Sequence, residues 1–334
     1  MNNIYHQKAL QEFSFLVTGG AGFIGSHVAE YLLKNQAQRV RVLDNLSTGL
    51  QQNLDILRQY PAFEFIEGDI RNLEVCRNAA KNIDYVNHQA ALGSVPRSVK
   101  EPFATNDVNV GGFVNMLTAA VDNKVKQFVY ASSSSVYGDD MSLPKHEDKT
   151  GNCLSPYAVS KKANELYADV FSNVYKLPVI GLRYFNIFGP RQNPEGPYAA
   201  VIPLFIKSIM DQRQAHIYGD GEQTRDFTYV ENAVEANIKA MLTADKHAIN
   251  KVYNVAVGET FSVNTVYKKI SDHLKSNVQA VHMKPRAGDV RNSLADISRA
   301  KDLLGYSPSM KFDSGLIRTI EYFKKLYTTK NVHV

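Results

Sequence analysis

Two cysteines, Cys76 and Cys153, are all that 334 residues contain. A chain this long with so few thiols has no disulfide framework, and a reducing, cytoplasmic setting is expected. Long hydrophobic runs are missing as well. The longest, Ala199 to Ile206, spans eight residues and includes Pro203, far short of a membrane crossing. Met1 to Ser14 is polar and lacks the apolar segment of a secretory signal. The formal charge is +5, but the lysines and arginines are scattered among acids instead of gathered into a block. That pattern argues against nucleic acid and suits mild attraction for an anionic small molecule. The nine histidines are dispersed, with no pair at zinc-ligand spacing, so no metal is expected. No internal repeat or low-complexity tract is visible. What remains is 44% hydrophobic and 21% charged, an ordinary globular composition, long enough for one large or two joined domains.

In the first half, short apolar segments alternate with helix-length ones. Phe15-Leu16-Val17 runs into glycines, and Phe23 to Leu33 reads as the following helix. Val40 to Leu43 ends at Asp44, and Phe63 to Ile66 ends at Gly68-Asp69. Tyr85-Val86 leads to His88, Phe128 to Tyr130 leads to a serine run, and Val179 to Tyr184 leads to Asn186. Strands spaced by helices imply βαβ units and a doubly wound parallel sheet, with ligands beyond the carboxyl ends of its strands. After Gly189 the texture changes: Pro190, Pro194, Gly196, Pro197 and Pro203 mark a loop-rich stretch. Val252 to Val257 reads as a buried strand rejoining the first sheet, and the chain from Thr260 reads as short helices with charged faces. The expected fold is α/β: a Rossmann-like domain of residues 1–187 plus about 228–260, and a smaller, discontinuous α/β domain of about 188–227 plus 261–334.

Gly19, Gly22 and Gly25 stand at Gly-x-x-Gly-x-x-Gly spacing between a strand and a helix. Glycines there allow the tight turn and let backbone approach a dinucleotide pyrophosphate at the helix N-terminus. Asp44, nineteen residues after Gly25, ends the next strand and can accept both adenosine ribose hydroxyls. A carboxylate there repels a 2′-phosphate, so the cofactor is expected to be NAD, not NADP. Asp69, after the third strand, is placed to reach the adenine. Each aspartate also suits an ordinary turn at a strand end.

Tyr157 and Lys161 stand at i and i+4, on one face of a helix. A free phenol is a weak base at neutral pH, and a nearby ammonium is expected to pull it toward the phenolate. Lys161 is also placed to grip the nicotinamide ribose. Ser132, Ser133, Ser134 and Ser135 end a strand, where a hydroxyl can donate to a substrate oxygen and relay its proton to Tyr157. At least two of these serines need do no more than satisfy loop backbone.

These motifs resemble the extended short-chain dehydrogenase/reductase family over nearly the whole chain, and within it the UDP-hexose 4-epimerases. The nearest likeness is to bacterial UDP-N-acetylglucosamine 4-epimerases of surface-polysaccharide synthesis, some of which prefer the uronic acid. Thr18 to Gly25, Asn109 to Gly112, His88 to Val99, Leu182 to Gly189, Ala199 to Pro203, Tyr218 to Asp226 and Gly288 to Ser298 carry it. The resemblance implies Tyr157 as base, Lys161 as its activator and Ser133 as catalytic serine. It implies Phe23, Ile24, Asn45, Ile70, Ala90, Ala91, Asn109 and Tyr184 as further NAD contacts. Asn186, Arg225 and Arg286 would hold the UDP, the arginines through their planar forks. Ala200 and Val201 would pack around uracil, Gly93 and Ser94 would contact the sugar, and Tyr218 and Asp289 are further substrate contacts. A homodimer is implied because relatives pair through helices.

Two places narrow the substrate. The family's dehydratases and decarboxylases carry carboxylic acids just after the catalytic serine, where this chain has Ser134 and Ser135. Epimerases restricted to plain hexoses resemble Gly288 to Ser293 but end in a bulky aromatic, and Ser293 leaves room for an N-acetyl group. Serine is also a common turn residue. An NDP-sugar dehydratase, a UDP-glucuronate decarboxylase and a non-enzymatic NAD-sensing regulator are the alternatives.

Overall fold

Runs such as Phe15-Leu16-Val17 have no polar face to offer water, so they enter a sheet covered on both sides. A computed structural model describes residues 3–195, 199–285 and 290–332. Its first half comprises β1 (Ser14–Thr18), α1 (Phe23–Lys34), β2 (Arg39–Asp44), α2 (Gln51–Leu57), β3 (Phe63–Glu67), α3 (Leu73–Ala80), β4 (Tyr85–His88), α4 (Val95–Lys100) and α5 (Pro102–Asn106). A π-turn at Asp107–Gly111 then leads into α6 (Gly112–Asp122), β5 (Gln127–Ser133), α7 (Pro156–Tyr175) and β6 (Val179–Tyr184). There follow β7 (Ile187–Phe188), α8 (Val201–Met210), β8 (Ala215–Tyr218), β9 (Thr224–Asp226), β10 (Thr228–Tyr229), α9 (Val230–Leu242) and β11 (Lys251–Val255). The chain ends with β12 (Thr260–Ser262), α10 (Val263–Leu274), β13 (Ala280–Met283), α11 (Ser298–Leu304) and α12 (Phe312–Val332).

Seven strands form one parallel sheet in the order β3-β2-β1-β4-β5-β6-β11. The direction of winding reverses between β1 and β4, which opens the crevice where such sheets bind ligands. Side chains alternate across the sheet: Phe15 and Val17 pack with α1 and α9, Leu16 packs with α3 and α6. Ala300, Leu304 and Tyr306, from α11 and the turn after it, join the α1 and α9 side.

A separate apolar cluster holds the smaller region together. Ile202, Phe205, Ile206 and Ile209 recur at helical spacing on α8 and meet Phe312, Leu316 and Ile320 of α12. Burying each such side chain is worth about 1.5–3 kcal/mol. The expectation of short helices after Thr260 is corrected here, because α12 runs 21 residues. Its apolar stripe, Phe312, Leu316, Ile320 and Phe323, is diluted by lysines and threonines that make the segment read as surface. Among the described residues, no helix is long and apolar enough to cross a membrane.

Buried histidines set an acid limit on this fold. His88 sits between Phe113 and Phe128 with Nδ1 2.9 Å from Thr18 Oγ1, and burial pushes its pKa down to about 3. His27 on α1 is pushed down to about 4 by burial and by the charge of Arg191. Both lie below the ordinary value of 6.5, so the unfolded chain takes up protons first as pH falls. The stability they contribute is complete above 6.5 and drains away toward pH 4, at about 1.4 kcal/mol per unit for each group. Asp226, raised to about 6 by burial, opposes part of this, since it favours the folded state in its protonated form. The melting temperature should therefore fall steadily between pH 7 and 4; a flat profile contradicts this account.

Candidate active site

Where β1 meets α1 the backbone turns through Gly19 at φ +68°, and a β-carbon there would sit 2.7 Å from the Ala90 amide nitrogen. A β-carbon on Gly25 would run into the Gly19 carbonyl oxygen. Gly22 caps α1 without a side-chain hydrogen bond, so the first-turn N–H groups are left for an anion. Gly19, Gly22, Phe23, Ile24 and Gly25 all line a cavity of about 470 Å³ at the carboxyl edge of the sheet, within the range of cofactor sites.

At one end of that cavity stand Asp44, Asn45, Asp69 and Ile70. Asp44 accepts the Ala21 amide at 3.0 Å and the Leu46 amide at 2.9 Å, which aims the carboxylate across the turn. Asp69 is paired with Arg71 at 2.7 Å and accepts Asn45 Nδ2 at 2.9 Å, and these contacts hold its carboxyl down at about 2. The bare glycine cradle, the open amides and a carboxylate at the end of β2 fit an NAD pyrophosphate and ribose.

At the other end the cavity is lined by Ala90, Ala91, Gly93, Ser133, Tyr157, Lys161 and Tyr184. Ser155 and Pro156 start α7, Ser155 Oγ accepting the Ala158 amide at 3.1 Å, and the helix then presents Tyr157 and Lys161 to the cavity. Ser133 Oγ accepts both the Ser135 amide at 3.2 Å and the Ser135 hydroxyl at 3.0 Å. With both lone pairs taken, its one proton is left for Tyr157, whose pKa Ser133 pulls down against the effect of burial. Ser135 thus braces Ser133 through both its amide and its hydroxyl.

Lys161 is buried and gives one of its three donors to the Ala131 carbonyl oxygen at 2.8 Å; burial lowers its pKa to about 8. Burial raises the Tyr157 pKa, and Ser133 opposes it.

A second cavity of about 280 Å³ adjoins the first through Asn186, Ile187 and Gln192. Ala200, Val201, Tyr218 and Arg225 line it, in company with His216 and Phe227. Arg225 Nη1 donates to the Thr224 carbonyl at 2.9 Å. Asn186, at φ +38°, donates through Nδ2 to the Asp226 carbonyl at 3.2 Å, which pins it at the junction.

Other expected residues lie off both cavities. Asn109 is buried and clamps the loop below the cofactor cavity, accepting the Leu92 amide at 2.7 Å and donating to Ser160 Oγ at 3.1 Å. Ser94 caps α4 by accepting the Arg97 amide at 3.2 Å, and Ser134 begins the short turn after β5. Ser293 is buried, its amide donating to the Thr224 carbonyl at 3.2 Å beside Arg225. Arg286 and Asp289 fall outside the described residues. Arg191, Gln192 and Asn193 line the first cavity and escaped the sequence reading. Their place just beyond the carboxyl end of β7 is the available signal, masked by the prolines around them.

Comparison with known proteins agrees with this geometry. The family model described as the NAD dependent epimerase/dehydratase family matches residues 15–256. A putative UDP-glucose 4-epimerase of Methanocaldococcus jannaschii is 37% identical over 92% of this chain and 98% of its own. The solved UDP-N-acetylglucosamine 4-epimerase of Methanobrevibacter ruminantium, in complex with UDP-N-acetylmuramic acid, is 39% identical with a TM-score of 0.88, over 94% of this chain and 99% of its own. UDP-glucuronic acid 4-epimerase of Bacillus cereus, solved with UDP-glucuronic acid and NAD, is 33% identical with a TM-score of 0.88, over 94% and 100%. The glycine cradle, the carboxylate closing β2 and the Ser133–Tyr157 pair thus belong to an NAD-dependent member of the NAD dependent epimerase/dehydratase family.

Proposed function

We propose that this chain interconverts UDP-N-acetylglucosamine and UDP-N-acetylgalactosamine, or their uronic acids, at carbon 4 through a 4-keto sugar. The observation that carries this is that Ser133, braced by Ser135, and Tyr157 line the cofactor cavity, which adjoins a second pocket lined by Arg225. NAD, when bound, supplies a hydride acceptor and donor for carbon 4 and a positive ring that draws the Tyr157 phenol toward phenolate. Tyr157 takes the 4-hydroxyl proton directly and later returns it, with Ser133 donating toward the phenol oxygen. Lys161 keeps two donors for ribose hydroxyls. Arg225 and Asn186 anchor the UDP while the sugar turns its other face. Ser134 and Ser135 offer no carboxylic acid for elimination or decarboxylation. Ser293, where the epimerases restricted to plain hexoses have a bulky aromatic, leaves volume for a substituent at carbon 2 on the segment that pairs with Thr224 beside Arg225.

Incubation with UDP-N-acetylglucosamine, its uronate and UDP-glucose, with NMR of the products, tests the reading. A 4-epimer is expected from an N-acetylated substrate; a 4-keto-6-deoxy or pentose product overturns it. Ser293→Tyr should lower kcat/KM for N-acetylated substrates by about tenfold or more relative to UDP-glucose, the scale of a pocket clash. Equal losses on both would remove Ser293 from the gate.

The chain is further proposed to act as a homodimer. Val159, Leu166, Val170 and Val174 form an exposed stripe along α7, beside α5 with its 82% exposed Phe103. A self-complementary stripe of this kind suits a second copy related by a two-fold axis. Light scattering should give twice the chain mass, and Leu166→Glu with Val170→Glu should halve it; a wild-type monomer refutes the pairing.

A further inference from the structure

Residues 189–195, leaving β7, line the cofactor cavity through Arg191, Gln192 and Asn193. The segment is tied down from two sides. On α1, His27 Nε2 donates to the Pro190 carbonyl at 3.0 Å, Glu30 forms an ion pair with Arg191, and Ser26 Oγ lies 3.4 Å from Arg191 Nη1. On α12, Tyr322 lies close enough to Arg191 for that residue's charge and backbone to offset part of the burial that raises the phenol's pKa. Arg191 is itself held at φ +67°, a conformation a bulky residue keeps only when its surroundings impose it.

Its side chain is 9% exposed, and with Lys161 it is one of two cationic side chains lining this cavity among the described residues. Ser26 follows Gly25 in the first turn of α1, so the guanidinium stands beside the amides that would receive a pyrophosphate. Glu30 fixes it there, and burial of the carboxylate is outweighed by the charges of Arg191 and Lys34.

We propose that Arg191, positioned by Glu30, latches loop 189–195 against α1 and keeps NAD bound from one turnover to the next. This rests on the 4-epimerase reading for its purpose alone: a cycle that returns its hydride gains by never releasing the cofactor, and an oxidised sugar would be stranded by its loss. The latch itself is a claim about NAD residence.

The test measures NAD released on denaturing the purified protein, and the NAD dissociation constant by calorimetry on stripped protein. Wild type should emerge from gel filtration still carrying NAD. Glu30→Gln, which keeps the shape but frees Arg191, should carry at least tenfold less and bind NAD about ten- to hundredfold more weakly, as expected for one charge-assisted contact. Added NAD should restore its melting temperature. If Glu30→Gln proves unstable, Arg191→Lys, which keeps charge without the planar fork, is judged by the same two readouts. A variant within about twofold of wild type in both, or a wild type emerging without NAD, overturns the latch. Neither readout involves a sugar, so a failed epimerase assay leaves the latch standing, and a failed latch leaves the reaction untouched.

Discussion

Tyr157→Phe should cut kcat by about a thousandfold, within the usual contribution of a positioned proton-transfer group. The ring is half-buried at the cavity wall, so phenylalanine fills the same volume and the fold should survive. What disappears is the phenol oxygen beside Ser133 that is assigned to take and return the substrate proton. NAD content and melting temperature should therefore stay near wild type while turnover collapses. A kcat within tenfold of wild type, on protein that still carries NAD, would take Tyr157 out of the base role. Lys161→Met should behave differently. Lys161 gives one donor to Ala131 and keeps two for ribose hydroxyls, so its loss should weaken NAD binding along with turnover.

Much of this site is readable from residues alone because its chemistry constrains backbone as well as side chains. The Gly19-Gly22-Gly25 turn announces itself because a β-carbon at Gly19 or Gly25 would strike backbone. Asp44 and Ser133 are found by rule: both end strands of a parallel sheet, on the edge where ligands collect. Partnerships between distant segments leave no such trace. Nothing local in Ser135 says that it will brace Ser133, and nothing in Lys161 says that Ala131 will take one of its protons. Arg191 and Glu30 are 161 residues apart in sequence, and only the closing of β7 onto α1 brings them together. Helix α12 was underread for a related reason: its apolar stripe is filled by α8, far away in the chain, while its charged residues dominate any local view.

The other large effect is expected behind the site, at Arg183. In register it lies opposite Ser132 on the neighbouring strand, 2% exposed, with Nε and Nη2 each 2.8 Å from a different oxygen of Glu165 and Nη1 2.9 Å from the Glu147 carbonyl. Glu165 stands one turn beyond Lys161 on α7 and also accepts Ser132 Oγ at 2.7 Å. Arg183→Leu would leave that buried carboxylate with Lys162 Nζ, 3.8 Å away and half-exposed, in place of its bidentate partner, at a cost of about 3–5 kcal/mol and a fall in Tm of roughly 5–10 °C. Adding Glu165→Leu removes the stranded charge, and the double variant should recover much of the loss, because two apolar residues can replace a buried ion pair at little cost. If the double variant is as unstable as the sum of the two singles, the pair is not coupled and this account fails. Activity separates stability from positioning. Ser132 carries the backbone into Ser133, so a double variant that folds but loses kcat shows that the ion pair aims the catalytic serine, whereas full activity confines Arg183 and Glu165 to holding α7 on the sheet.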